Sequence, residues 1–165
     1  MRKPQLAMLA LVALAVVQML YFNHRIDKAI VAAHFNAPGD PNGWHTKAPF
    51  FSLYILVAAL GLWLSFGLSF VFTRLPAQVI ILPNREYWLA PARRDQTVRR
   101  IADHFAWIGA ATVALVLVEL QVLLTMSLSL NPHVHRLAVI LPVVLYVPFA
   151  VWMFARLNHS FSRQT

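Results

Sequence analysis

Four stretches of this chain are too apolar and too long for a water-soluble fold: residues 5–22, 48–73, 101–130 and 137–155. Even the shortest, at about 18 residues and 1.5 Å rise per residue, makes a helix of about 27 Å, enough to cross the hydrocarbon core of a bilayer. Inside that core no water is present to satisfy N–H and C=O groups, so each stretch must close its hydrogen bonds internally, as a helix. Composition points the same way. Of 165 residues, 59% are hydrophobic and 12% charged, whereas a soluble domain carries about 25% charged residues. The sequence therefore predicts one all-α membrane domain over residues 1–165, with four transmembrane helices joined by an outward loop and an inward basic loop.

The first run, Gln5 to Phe22, follows Arg2 and Lys3. A cleaved signal peptide starts similarly, but here the run ends in Met19-Leu20-Tyr21-Phe22-Asn23, without small residues for a peptidase. An uncleaved signal-anchor helix is the expected reading. The second run opens with Pro49 near its first turn, where a missing N–H is harmless, and carries Gly61, Ser65, Gly67 and Ser69 as small positions for close helix packing. Asn131-Pro132 breaks the chain between the third and fourth runs, which predicts a short antiparallel hairpin. Pro142 and Pro148 are expected to kink the fourth helix.

Orientation follows from where lysine and arginine fall, because cytoplasmic connections carry the excess. Arg2 and Lys3 precede the first run; Arg74, Arg85, Arg93, Arg94, Arg99 and Arg100 lie in segment 74–100; Arg156 and Arg163 follow the fourth. The opposite side holds only Arg25, Lys28 and Lys47 in loop 23–47, and Arg136. The bias places both termini and segment 74–100 in the cytoplasm of a bacterial inner membrane, with loop 23–47 outside. The net charge of +8 thus reads as a topology signal. Nucleic acid is not an expected partner, since most aromatics that stack on bases lie inside the apolar runs.

Within the outer loop, Ile26, Ala29, Ile30, Val31 and Ala33 can continue a helical stripe to His34, before a dense cluster of breakers from Pro38 to Gly43. The inner segment begins with Val79-Ile80-Ile81-Leu82-Pro83, apolar but too short to span. Tyr87 and Trp88 suit the headgroup level, and Pro91-Ala92 can start a basic helix leading into the third span.

Two stretches carry a family resemblance. His34-Phe35-Asn36-Ala37-Pro38-Gly39-Asp40-Pro41-Asn42-Gly43-Trp44-His45-Thr46-Lys47, set between two membrane helices, resembles a bacterial domain of unknown function that also forms the N-terminal part of SdpI-type immunity proteins. Leu82-Pro83-Asn84-Arg85-Glu86-Tyr87-Trp88-Leu89-Ala90-Pro91-Ala92-Arg93-Arg94 is similar to the stretch that follows the second helix in stand-alone members. Together they cover about residues 5–100. The resemblance implies an interaction, sensing or immunity-type role: its best-understood relatives confer immunity to a secreted toxin and relay its presence to a cytoplasmic repressor. SdpI-type proteins are usually longer, with further membrane helices.

Candidate site residues fall into four groups. His34, Asn36, Gly39, Asn42, Gly43, Trp44 and Lys47 form the family-like loop. It is either a compact turn, with Gly39 and Gly43 permitting positive φ, or a surface for a peptide, toxin or envelope partner. His34, His45, His133 and His135 are candidate zinc or copper ligands on the outer side, near Asp27 and Asp40, provided the two outer loops meet. His133 and His135 alone are a poor chelate, and interfacial histidines bonding backbone are the alternative. Glu119 is the only acid inside a span, with Gln121 close behind. At that depth an ionisable group suggests a proton or cation site, or else a neutral carboxyl bonded to Gln18, Ser65 or a carbonyl of the fourth helix. Arg93, Arg94, Arg99 and Arg100 suit anionic lipid headgroups or a cytoplasmic partner, with Asp95 and Arg99 spaced for a helix pair.

The absence of cysteine excludes thiolate nucleophiles and cysteine-ligated metals. No phosphate loop, HExxH, GxSxG or paired catalytic carboxylates occur, so no enzyme activity and no obligatory cofactor are expected. The partners expected are the bilayer itself and a membrane protein partner or a homo-oligomer. An accessory subunit of a larger membrane complex and a small transporter built on Glu119 remain as alternatives.

Overall fold

In a computed structural model, which describes residues 2–26, 30–129 and 133–162, the chain is mostly helical. It contains four helical rods long and apolar enough to cross a membrane. The first is α1 (Lys3–Arg25). A two-stranded hairpin follows, β1 (Ile30–Phe35) and β2 (Pro41–Thr46). The second rod runs from Lys47 to Arg74, comprising α2 (Lys47–Leu62), a wide turn at Trp63–Gly67 and α3 (Leu68–Arg74). A 3-10 turn at Ala77–Val79 and the short α4 (Arg85–Trp88) lead to α5 (Pro91–Ser127), and α6 (Arg136–Ser162) is the last rod.

The rods differ from the apolar runs at their ends. The first, second and fourth continue into flanking residues on both sides. The third starts ten residues before its run and ends at Ser127, short of the expected Leu130, with a turn at residues 128–129. The basic lead-in from Pro91 and the third apolar run are one helix of 37 residues, with proline where no N–H is needed. The fourth rod continues to Ser162 and stays helical through Pro142 and Pro148. Leu130, Asn131 and Pro132, expected to end the third span and turn the chain, lie outside the described residues, as do Asp27, Lys28, Arg163 and the side chain of Ser69.

The helical stripe expected up to His34 is overturned: Ile30–Phe35 is a strand paired antiparallel with Pro41–Thr46. The β-branched Ile30 and Val31 fit a strand well, and the breaker cluster closes a turn tight enough for the two segments to pair. Pairing runs from Ile30 opposite Thr46 to Phe35 opposite Pro41, with irregularities around His34.

Helix α5 is the centre of the molecule, packing against α1, α2, the wide turn, α3 and α6. Its buried face, Val113, Leu117, Leu120 and Leu124, meets Met8, Ala15 and Phe22 of α1 and Phe50 and Tyr54 of α2. Small residues let the helices approach closely, since apolar side chains gain little by leaving lipid and packing must hold them. A Cβ on Gly61 would stand 2.6 Å from Val113 Cγ2 and 2.8 Å from Met8 Sδ. The wide turn carries an i→i+5 bond from Leu68 N–H to the Trp63 carbonyl and encloses Ser65, whose side chain is fully buried.

The bundle has two distinct ends. At one, a second small core of Ile80, Leu89, Ile101 and Phe161 joins the 74–101 segment to the end of α6. There the Trp88 indole N–H donates to the Phe161 carbonyl at 2.9 Å. Arg2 pairs with Asp103 at 2.8 Å, so the chain's start lies at this same end. At the other end sit the hairpin and the connection from α5 to α6.

Candidate functional site

The hairpin is built by Asn36 and Gly39. The Asn36 side-chain oxygen accepts from the backbone N–H groups of Gly39 at 3.0 Å and Asp40 at 2.8 Å, an Asx-type turn. Gly39 adopts φ +108°, which a Cβ makes costly. Gly43 packs under His34; a Cβ there would come within 2.9 Å of the His34 Cβ. Three of the family-like residues are therefore committed to the shape of the turn. Of the others, His34, Asn42 and Trp44 are exposed, and Lys47 begins α2 half-buried.

The hairpin and the connection from α5 to α6 do meet. Val134 N–H donates to the Gly39 carbonyl at 2.9 Å, Arg136 donates to the Ala37 carbonyl, and His133 Nδ1 lies 3.2 Å from Asp40 Oδ1. The hairpin is thereby latched to the start of α6. Between the turn, α5 and α6 lies a cleft of about 540 Å³. His34, Asn36 and Gly39 form one wall, and Leu123, Val139 and Ile140 the apolar opposite wall, with Arg136 at the rim. Such a cleft, with an apolar wall and a few polar groups on the facing wall, suits a peptide or another amphipathic ligand.

The histidines split into two pairs. His34 and His45 stand edge to face with ring centroids 5.7 Å apart, because one lies on each strand near the irregular register. His133 faces Asp40, and the His135 carbonyl caps the start of α6 by accepting from Ala138 N–H. Among the described residues no group of three His, Asp or Glu converges as metal ligands would.

Inside the apolar region, Gln18 of α1 donates from Nε2 to the Leu117 carbonyl at 3.1 Å and to Gln121 Oε1 at 2.6 Å. Gln121 in turn donates to Thr125 at 3.1 Å. Gln121 thus takes Gln18, one of the three partners considered for Glu119. Among the described residues the Glu119 carboxyl oxygen Oε1 is buried without a hydrogen-bond partner, as are Tyr54 OH and Ser65 Oγ. Glu119 lies seven residues, about two turns, beyond Thr112, whose hydroxyl meets Tyr146 of α6 at 2.7 Å.

The four arginines of the basic segment have separate positions. Arg94 donates to the Thr73 and Leu75 carbonyls at the end of α3, satisfying acceptors that a helix C-terminus leaves open. Arg93 stacks over the Tyr87 ring at 4.0 Å. Arg99 and Arg100 instead line a cleft against α6. Sequence reasoning missed Arg136, Asp40 and Val134 as latch residues; nothing in their local pattern marks a contact made across the whole chain. Comparison with protein-family models, with curated proteins and with solved structures finds no match to this chain.

Proposed function

We propose that this chain is a multi-pass inner-membrane protein of the interaction or sensing type, related to the SdpI-associated family. Its hairpin end faces outward as the recognition surface, and its arginine-bearing end lies in the cytoplasm with both termini. The observation that carries this reading is the division of the two ends. One end gathers Arg2, Lys3, Arg74, Arg85, Arg93, Arg94, Arg99, Arg100 and Arg156, whereas the hairpin end has Arg25, Lys47 and Arg136 among the described residues. That asymmetry is what retention of positive charge on the synthesis side produces.

The outward surface is favoured for recognition because His34 and Trp44 are exposed on a latched, pre-shaped hairpin beside a half-apolar cleft. Rigid presentation reduces the ordering cost of binding. The proposed ligand is a secreted peptide or toxin, or an envelope protein, with the signal passed to a cytoplasmic regulator at the arginine end. The roles proposed for the residues are recognition rather than catalysis.

The chain lacks cysteine, so single substitutions can be labelled cleanly in intact cells. Trp44→Cys should react with an impermeant maleimide, and Arg93→Cys only after permeabilisation; the reverse pattern overturns the orientation. Purification in mild detergent then tests recognition. A captured envelope peptide or protein lost on Trp44→Ala supports the hairpin as the surface.

One observation favours a second reading, an accessory subunit of a larger complex. Helix α6 buries only Met153 and Phe161 within the chain and exposes Leu141, Leu145 and Val151 among others. A stoichiometric membrane partner that survives Trp44→Ala but is lost with substitutions along α6 would support it.

A further inference from the structure

At the arginine end, α5 and α6 diverge around a cleft of about 520 Å³. Its lining is ordered along the helix axes. Arg99 and Arg100 of α5 and Arg156 of α6 stand at the end we call the mouth; His104 and Trp152 lie a turn further along; Trp107 and Phe149 line the far end. The order follows from antiparallel helices: Arg100 to Trp107 and Arg156 to Phe149 are each seven residues, about 10 Å along the axis.

None of the three mouth arginines pairs with a carboxylate among the described residues. The single acid in the lining, Asp103, is engaged by Arg2 at 2.8 Å. Arg156 stacks over Trp152 at 5.1 Å, and Arg100 lies 5.9 Å from the Trp88 ring. Stacking holds guanidinium groups in place while leaving their N–H edges free to donate. His104 spends Nδ1 on the Arg100 carbonyl at 2.9 Å, which fixes its ring against α5. The cleft thus combines three guanidinium groups without a carboxylate partner among the described residues at its mouth with aromatic rings about 10 Å further along the helix axes.

We propose that this cleft is a binding site for one anionic phospholipid of the surrounding bilayer, with the phosphodiester held by Arg99, Arg100 and Arg156 and the glycerol and upper acyl chains against Trp107 and Phe149. Guanidinium groups match phosphate oxygens in bidentate geometry. Basic pockets between membrane helices on the cytoplasmic side are suited to such headgroups. A free phosphate shares the headgroup chemistry but leaves the aromatic far end unfilled. The site rests on the chain being a membrane protein and is independent of what the hairpin recognises.

The test uses the full chain, stripped of lipid in a neutral detergent and titrated with phosphatidylglycerol or phosphatidylcholine in mixed micelles, with bound lipid read by native mass spectrometry. Phosphatidylglycerol should bind at least tenfold more tightly than phosphatidylcholine. The triple variant Arg99→Gln, Arg100→Gln, Arg156→Gln should lose that preference, at about fivefold per charge. Arg85→Gln with Arg93→Gln, basic but outside the cleft, should keep it. Should the triple variant fail to fold, Arg156→Glu near the end of α6 supplies the same readout.

Equal binding of both lipids overturns the proposal. So does loss of the preference in the Arg85 and Arg93 variant, which indicates diffuse charge. Displacement by inorganic phosphate or glycerol phosphate as effective as that by phosphatidylglycerol assigns the site to a free anion instead. A chain that stays dissolved without detergent overturns the membrane reading as a whole, whereas one that inserts without lipid preference overturns this site alone.

Discussion

Val134 gives its backbone N–H to the Gly39 carbonyl at 2.9 Å, and a Cβ on Gly39 would collide with the Val134 carbonyl oxygen. This contact joins the tip of the hairpin to the start of α6. It also requires glycine twice, once for the φ of +108° and once for space. Gly39→Ala is expected to destabilise the protein by about 1–3 kcal/mol and to loosen the latch. Thermal unfolding in detergent measures the first effect, and faster protease cleavage within residues 36–40 reports the second. Unchanged melting would show that the hairpin is not held against α6.

The exposed His133–Asp40 pair, with side chains more than half exposed, contributes little by comparison, since exposed ion pairs gain little over water. His133→Ala should therefore leave the melting temperature close to that of the parent. A loss as large as that of Gly39→Ala would reverse this ranking of the latch contacts.

Gln18 and Gln121 form a polar bridge between α1 and α5 at 2.6 Å. Side-chain hydrogen bonds between membrane helices are worth about 0.6 kcal/mol on average and up to about 1.7. A double-mutant cycle with Gln18→Leu and Gln121→Leu should give a coupling in that range. A coupling indistinguishable from zero in a reversible unfolding assay removes the bridge as a helix-pairing element.

Gly61 allows α2 to close on α1 and α5. Gly61→Val brings a β-branched group against Val113, which is itself β-branched and stiff, so overpacking should cost about 1–3 kcal/mol. Gly61→Ala should cost less than valine because it adds only the Cβ: the Met8 thioether can yield, but the 2.6 Å approach to Val113 Cγ2 still has to be relieved. A gain in stability for both variants would indicate that helix propensity, not packing, governs this position, since alanine and valine both favour helix over glycine.

Glu119 has a buried carboxyl oxygen with no hydrogen-bond partner among the described residues. An apolar replacement removes that penalty, so Glu119→Leu is expected to maintain or raise thermal stability in detergent. A sharp fall in stability would assign the carboxyl a structural bond. Preserved folding with lost biological activity would mark it as a working group.

The role of the Leu82–Arg94 stretch is an instructive mixture. Its aromatic and basic residues suggest the headgroup level from composition alone, and Pro91 does open a helix. Yet Arg93 and Arg94 are neighbours in sequence with unrelated tasks, one on the Tyr87 ring and one on the carbonyls that end α3. Consecutive residues on a helix point about 100° apart, so only the position of α3 and α4 around α5 could separate them. The hairpin shows the converse. Asn36, Gly39 and Gly43 stand out locally as turn formers, but the strand character of Ile30–Phe35 depends on pairing with Pro41–Thr46.

The sequence by itself determined the number of rods and the two-ended distribution of charge. Those properties are set by local hydrophobicity and by the need of a lipid-immersed backbone to bond to itself. Tertiary structure alone decided that α5 lies at the centre, that the wide turn at Trp63–Gly67 interrupts the second rod, and that Gln121 rather than Glu119 answers Gln18. It also decided which arginines cap a helix and which line a cleft. The physical reason is that lipid accepts any apolar face equally. Which faces pair is therefore governed by shape and by a few polar atoms, and these come together only once the helices are side by side.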